Sequence, residues 1–319
     1  MKKLLIAVAA FLLLAVAGVT AWFNFAPAAH VAGVLVSLQR EQAGMEEREL
    51  QVPGFRIAYL EGGDGETLLL LHGMGGSKDN WNLVAQQLTP HFRVIAVDLP
   101  GFGDSDKPAE RRYRAEDQAT YVHSIVQALG LRRFNLGGIS MGGRIAAEYA
   151  ARYPDAITSL WLLAPGGVAS ARPSELAQHL EETGNEGGNF PLLVRTPADV
   201  DTLLNWSMAS PPYIPAPVKQ ALADQAAASH DLHLRILGEL AEEWEEVSLE
   251  EIVDGLETPT RIVWGARDRV LHVSGAEALR RHMPDASVRI LPGVGHIPII
   301  EAPETVASDY RSFKDSRSD

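Results

Sequence analysis

The 319-residue chain contains no cysteine. That absence removes disulfides, thiolate nucleophiles, cysteine-ligated zinc and lipid attachment through a cysteine. Positive charge is scarce too. Lysine and arginine total 28 against 41 aspartates and glutamates, for a formal net charge of −13. Such a body repels phosphate backbones and anionic headgroups, which argues against nucleic-acid partners. No repeat or shift in composition marks a second independent domain. Charge is almost missing from the first 26 residues, where Lys2 and Lys3 are the only charged side chains.

Behind those lysines runs an apolar stretch, Leu4 to Phe23, with Thr20 as its one hydroxylated residue. Twenty such residues match the hydrocarbon core of a bilayer. Trp22, Phe23 and Phe25 resemble an interfacial aromatic belt, and the lysines orient the body outward. Residues 1–26 are thus expected to be a membrane helix. The competing reading is a signal segment cleaved after Val19-Thr20-Ala21, which would release the body. Over residues 27–48, Val31, Val34, Leu35 and Leu38 recur at helical spacing. That segment reads as a helix and linker, lying either on the membrane surface or on the body.

From residue 49 strand-like and helix-like segments alternate. "TLLLLHG", "FRVIAVDLPG", "RFNLGGIS" and "ITSLWLLAPGG" read as strands buried on both faces. Helical patterns separate them. The rhythm breaks over residues 166–256, which are helical and punctuated by proline. It resumes with "PTRIVWGARDRV" and "SVRILPGVGH". Alternating units of this kind predict an α/β fold, with a mostly parallel sheet and helices on both faces. The core is expected over 49–165 and 257–319, with 166–256 as an inserted helical cap over the carboxyl ends of the strands, where ligands of open α/β sheets bind.

The chemistry concentrates in a few motifs. Gly138-Ile139-Ser140-Met141-Gly142 is G-x-S-x-G between a predicted strand and a predicted helix, the context of a nucleophile elbow. The turn is so tight that side chains at 138 and 142 would clash. It lifts Ser140 to a helix N-terminus, where free N–H groups favour an oxyanion. A serine needs a base. Of ten histidines, His296 in "LPGVGHIPIIEAPE" follows the last strand. His272 is its nearest rival, and most of the histidines in helices or cap-like stretches, a group that includes His230 and His233, read as exposed or locally satisfied. Asp268 in "WGARDRV" is the expected acid. Asp98 and Asp104 precede the serine, which counts against them. Backbone N–H groups of Met74 and Met141 are the expected oxyanion donors, with His72 and Gly73 shaping the first of those loops.

In this order, "HGMGGSKDNW", "DLPGFGDSDKP", "GISMGG", "WGARDRV" and "GVGHIPIIEAPE" resemble the α/β-hydrolase superfamily over residues 49–313. With the N-terminal apolar segment, the chain more narrowly resembles membrane-anchored monoacylglycerol lipases and related bacterial lipases and esterases. The resemblance implies carboxylic-ester hydrolysis through an acyl-serine, a helical cap and no cofactor; no metal motif appears, and the anchor, the apolar cap and the acidic run together point to neutral, lipid-like esters. It also implies a bacterial inner-membrane protein with its body in the periplasm, or a secreted one if residues 1–21 are removed. A serine at position 140 argues against relatives that use a carboxylate there.

Trp206, Met208, Pro211, Pro212, Tyr213, Ile214, Leu222 and Leu234 either line an acyl channel or form simple core. The seven glutamates of residues 239–251 read as a solvated face that repels anionic substrates. Two other functions stay open at this point. One is a C–C bond or amide hydrolase using the same serine, and the other is a hydrolase-like scaffold that only binds.

Overall fold

The computed structural model describes residues 26–184 and 190–317. The apolar run Leu4–Phe23, and with it the choice between anchor and cleaved signal, lies outside the described residues. Among the described residues no helix is long and apolar enough to cross a membrane.

Helix α1 (Ala28–Gln42) leads into the hairpin of β1 (Met45–Val52) and β2 (Phe55–Gly62). Then come β3 (Glu66–Leu71), α2 (Asn82–Leu88), β4 (Phe92–Val97), α3 (Ala115–Ala128), β5 (Phe134–Ile139), α4 (Met141–Arg152) and β6 (Ile157–Leu163). The segment after β6 carries α5 (Glu175–Thr183), α6 (Pro197–Ser207), α7 (Ala216–Ala227), α8 (His230–Glu246) and α9 (Leu249–Val253). The alternation resumes with β7 (Thr260–Gly265), α10 (Ser274–His282), β8 (Ala286–Leu291), α11 (Pro298–Glu301) and α12 (Pro303–Asp315).

The strands form one sheet in the order β1-β2-β4-β3-β5-β6-β7-β8. Pairing is parallel from β4 to β8, while β1 and β2 join antiparallel. The apolar run of β3 shows why. Leu69 and Leu71 enter one core with Val122 and Ile125 of α3 and Ile145 of α4. Leu68 and Leu70 enter the other with Val84 of α2 and Tyr310 of α12. A strand covered on both faces has no polar side to show. Each fully buried leucine contributes roughly 1.5–3 kcal/mol.

The sheet begins at Met45 rather than at residue 49. The sequence hid this because Glu46, Glu47, Arg48 and Glu49 are exposed on an edge strand. Charge on an edge blocks pairing with another chain and erases the alternation that would announce a strand. Within residues 27–48, α1 buries Val31 and packs against α7 and β1, while its Leu35 and Leu38 are exposed. "SKDNW" forms a 3-10 turn, Lys78–Trp81, before α2 begins.

Parallel pairing brings the carboxyl ends of β3 and β5 side by side, with Leu71 opposite Gly138. There the elbow forms. Ser140 holds φ 55° and ψ −119°, which a residue with a side chain rarely adopts. A Cβ on Gly138 would lie 2.2 Å from the carbonyl oxygen of Gly142. A Cβ on Gly142 would meet the carbonyls of Leu71 and His72 at 2.4 Å. The clash expected between positions 138 and 142 is thus half right, since the end of β3 is what excludes a side chain at 142.

Gly142→Ala is expected to cost about 2–3 kcal/mol or more, because backbone and not a movable side chain blocks the methyl. Gly238, mid-helix in α8 with nothing within 4 Å of a Cβ, is the control. Gly238→Ala should be neutral to stabilising by up to about 1 kcal/mol. Calorimetric unfolding of both variants checks the pair, and equal effects would remove the steric account.

Candidate active site

Four loops at the carboxyl ends of β3, β5, β7 and β8 build the site. Ser140 is pinned by its own backbone. Its N–H donates to Leu163 O at 2.9 Å, and its carbonyl accepts from Arg144 N and Gly166 N, both at 3.1 Å. Met141 opens α4 and is buried, so its N–H is among the helix-start donors without an intrahelical partner. Gly73 lies against the serine, with its missing Cβ 3.2 Å from Ser140 Cβ. A side chain there would crowd the hydroxyl.

Asp268 leaves β7 with every acceptor position occupied. Its Oδ1 accepts from Val270 N at 2.8 Å and Leu271 N at 2.9 Å. Its Oδ2 accepts from the Trp264 indole at 3.0 Å and faces His296 Nδ1 at 2.8 Å. Four donors satisfy a buried carboxylate and fix its plane. With Nδ1–H given to Asp268, the neutral His296 keeps a lone pair on Nε2. Ser140, His296 and Met74 line one cavity of about 130 Å³, whose other walls include Leu192, Leu203 and Ile297. The structure therefore gathers Ser140, Asp268, His296 and the Met74 and Met141 backbone at one place. His272 is held apart, with its Nδ1 2.9 Å from Ser274 Oγ.

Several residues that shape this site escaped the sequence reading. Glu301 Oε1 accepts from Gly295 N at 2.8 Å, one residue before the histidine. Its Oε2 accepts from Ala209 N and Ser210 N at 2.9 and 3.2 Å. His296 N itself donates to Ser207 O at 2.7 Å, at the end of α6. The histidine loop is thus tied to the helical insertion twice. The one sequence signal was the glutamate in "IPIIEAP".

The acids set aside at positions 98 and 104 hold the neighbouring loop. Lys78 is fully buried, its Nζ 2.9 Å from Asp98 Oδ2 and 2.5 Å from Asp104 Oδ2. Burial alone would pull the ammonium down, but Asp98 and Asp104 outweigh it and hold Lys78 well above the usual lysine range. His72 closes the same loop. Its Nε2 accepts from Leu99 N at 3.1 Å, so Nδ1 carries the proton and donates to Gly73 O at 2.8 Å. Complete burial pushes its pKa down.

One expectation for the insertion needs correction, and one open choice is narrowed. Of the eight residues considered for an acyl channel, none lines the serine cavity. Trp206 lies under the Arg269 guanidinium, 4.5 Å from the ring centre, and Tyr213 is 87% exposed. Leu192 and Leu203 line it instead. The glutamate run is not a solvated face throughout. Glu243 is buried and accepts from Ala115 N and Glu116 N, satisfying the free donors that start α3. Glu250 does the same for Ala169 N and Ser170 N.

Comparison with known proteins gives the following. A family model described as the alpha/beta hydrolase fold matches residues 66–303. Lipase 3 of Moraxella sp. (strain TA144) is 36% identical over 285 residues, covering 88% of each chain. The Homo sapiens protein "Monoacylglycerol lipase ABHD6" is 29% identical, covering 84% of this chain and 82% of its own. A solved structure described as a membrane phospholipase A, a bacterial virulence factor, is 42% identical with a TM-score of 0.86 and covers 99% of both chains.

The site also carries an acid-sensitive support. His233 of α8 stacks on Phe102, ring centres 4.8 Å apart, and Phe102 meets His72 edge-on. Burial lowers the His233 pKa to about 4. The neutral ring is the folded form, so its contribution is full above the unfolded value near 6.5 and is lost as pH falls toward 4. That drop corresponds to roughly 3 kcal/mol. His233→Phe is expected to flatten the pH dependence of the unfolding midpoint between about 6.5 and 4. An unchanged slope in that variant would assign the acid loss elsewhere.

Proposed function

The chain belongs to the alpha/beta hydrolase fold family, and on that premise we propose that it is a serine hydrolase of neutral, lipid-like carboxylic esters. One observation carries the reading. Ser140 and His296 face one largely apolar cavity, and His296 rests on a carboxylate that three further donors hold in place. The lipase names of its relatives, at 29–36% identity, support the substrate class.

In this reading Ser140 Oγ attacks the ester carbonyl while His296 Nε2 takes its proton. The backbone N–H groups of Met74 and Met141 stabilise the oxyanion. Collapse breaks the ester C–O bond, and His296 returns the proton to the departing alcohol. Water then attacks the acyl-serine with the same base, releasing the acid and restoring Ser140. Asp268 holds the imidazole tautomer and stabilises its charged form. The helices of 175–253 act as a cap above the cavity. No step calls for a metal or cofactor.

The run Leu4–Phe23 serves as a membrane anchor, placing the cavity near its lipid substrate. The relative described as a membrane phospholipase, aligned along 99% of this chain, supports this. Full-length protein is expected to sediment with membranes and to survive a carbonate wash. Release of a form beginning near residue 22 would establish the cleaved alternative instead.

Purified protein tested on neutral esters with acyl chains from C2 to C16 should peak at medium or long chains. Ser140→Ala should lower kcat by at least about 10⁴-fold, and Asp268→Asn by a similar factor. Undiminished turnover in a folded Ser140→Ala variant would sink the proposal. Faster cleavage of a dienol C–C bond or an amide than of any ester would redirect it.

A further inference from the structure

Beside the serine cavity lies a second one of about 350 Å³. The two share Met74, Gly75, Gly76, Asn80, Leu192 and Leu203 in their walls. Their other walls differ in character. The serine cavity adds Ile139, Ile297 and Ile299. The second adds Asp104, Lys107, Gln225, Ser229, His230 and His233 among apolar neighbours that include Leu193, Val194 and Leu222.

His230 is the unusual member. It is only 6% exposed, yet neither Nδ1 nor Nε2 has a hydrogen-bond partner among the described residues. Buried polar groups are almost always paired, and leaving one unpaired costs about 1–3 kcal/mol. His230 is thus an exception to the general expectation that the histidines of the helices and the insertion are exposed or locally satisfied. His233 differs, since its Nε2 lies 3.2 Å from Gly101 O.

We infer that the second cavity receives the hydroxylated alcohol portion of the ester, with His230 as its hydrogen-bonding residue. The inference rests on the ester-hydrolase reading of Ser140. A neutral imidazole offers one N–H and one lone pair, and a hydroxyl both donates and accepts, so the two match. A glycerol fragment brings two such hydroxyls. A phosphate headgroup fits less well. The Asp104 carboxylate stands in the wall and would repel it. Lys107, the lysine of this wall, is already committed to the carbonyls of Gly103 and Ser105.

The test compares kcat/KM for a 1-monoacylglycerol and for the ethyl ester of the same fatty acid. It uses the full chain in detergent as wild type, His230→Leu and His230→Gln. Fluorophosphonate labelling of Ser140 reports whether each variant keeps its site. His230→Leu is expected to lower kcat/KM for the monoacylglycerol about tenfold, the equivalent of one hydrogen bond, and for the ethyl ester less than about twofold. His230→Gln, which keeps polar atoms, should recover part of the loss. If the leucine variant does not label, the glutamine variant carries the comparison. Equal losses on both esters, or none on either, would overturn the subsite. A larger selective loss on a lysophospholipid than on the monoacylglycerol would overturn the hydroxyl assignment. A wild-type chain that labels but cleaves neither ester would overturn the ester reading and the subsite together.

Discussion

Ser140 holds a φ of 55° despite its side chain, and the surrounding elements are spaced by that turn. A residue in such a conformation costs on the order of 1–3 kcal/mol and persists only where its surroundings leave it no alternative. Here β6 grips the amide from one side, through Leu163 O. The carbonyl is held by Arg144 N of the helix it begins and by Gly166 N of the loop beyond β6. The close approach of α4 to the ends of β3 and β5 works only because Gly138 and Gly142 have no side chains. The strain lifts one hydroxyl out of an otherwise apolar sheet and sets it against the first free N–H groups of a helix.

Around that point the molecule spends buried charge on position rather than on bulk stability. Asp268, Glu301, Glu243 and Glu250 each accept backbone N–H bonds in loops or at helix starts. A carboxylate with two oxygens can hold several such donors at once and define a loop's geometry more sharply than apolar contacts. Lys78 with Asp98 and Asp104 does the same for the loop carrying Gly73 and Met74. Removing one partner of such a group would strand a charge in the interior, which costs more than the pair itself provides.

The insertion between β6 and β7 is bound to the core at the site itself. His296 N reaches Ser207 O, and Glu301 joins Gly295 to Ala209 and Ser210. Any movement of α6 is therefore felt by the histidine loop. The walls follow the same division. Leu192 and Leu203 wall both cavities, Ile139, Ile297 and Ile299 make the serine cavity apolar, and α8 contributes two histidines to its neighbour.

The alternation of apolar runs with amphipathic segments, G-x-S-x-G between a strand and a helix, and the order of Ser140, Asp268 and His296 could all be read from the chain. These are local signals. Burial on both faces leaves a strand uniformly apolar, and a turn without room for Cβ leaves glycines at fixed offsets. The edge strand at Met45–Val52 could not be read, because its charges answer to solvent and not to a core. Nor could the roles of Glu243, Glu301, Lys78 or His230. Each depends on a partner, or on the lack of one, more than forty residues away or on another element, unless, as at Gly295, the partner is near but the purpose lies across the insertion. Sequence determined the fold and the seating of Ser140 between a strand and a helix, because those follow from periodicity and turn sterics within a few residues. Only the tertiary structure decided which charges are buried, which carboxylates hold loops, and which histidine faces a cavity unpaired, because burial and pairing are properties of the packed chain.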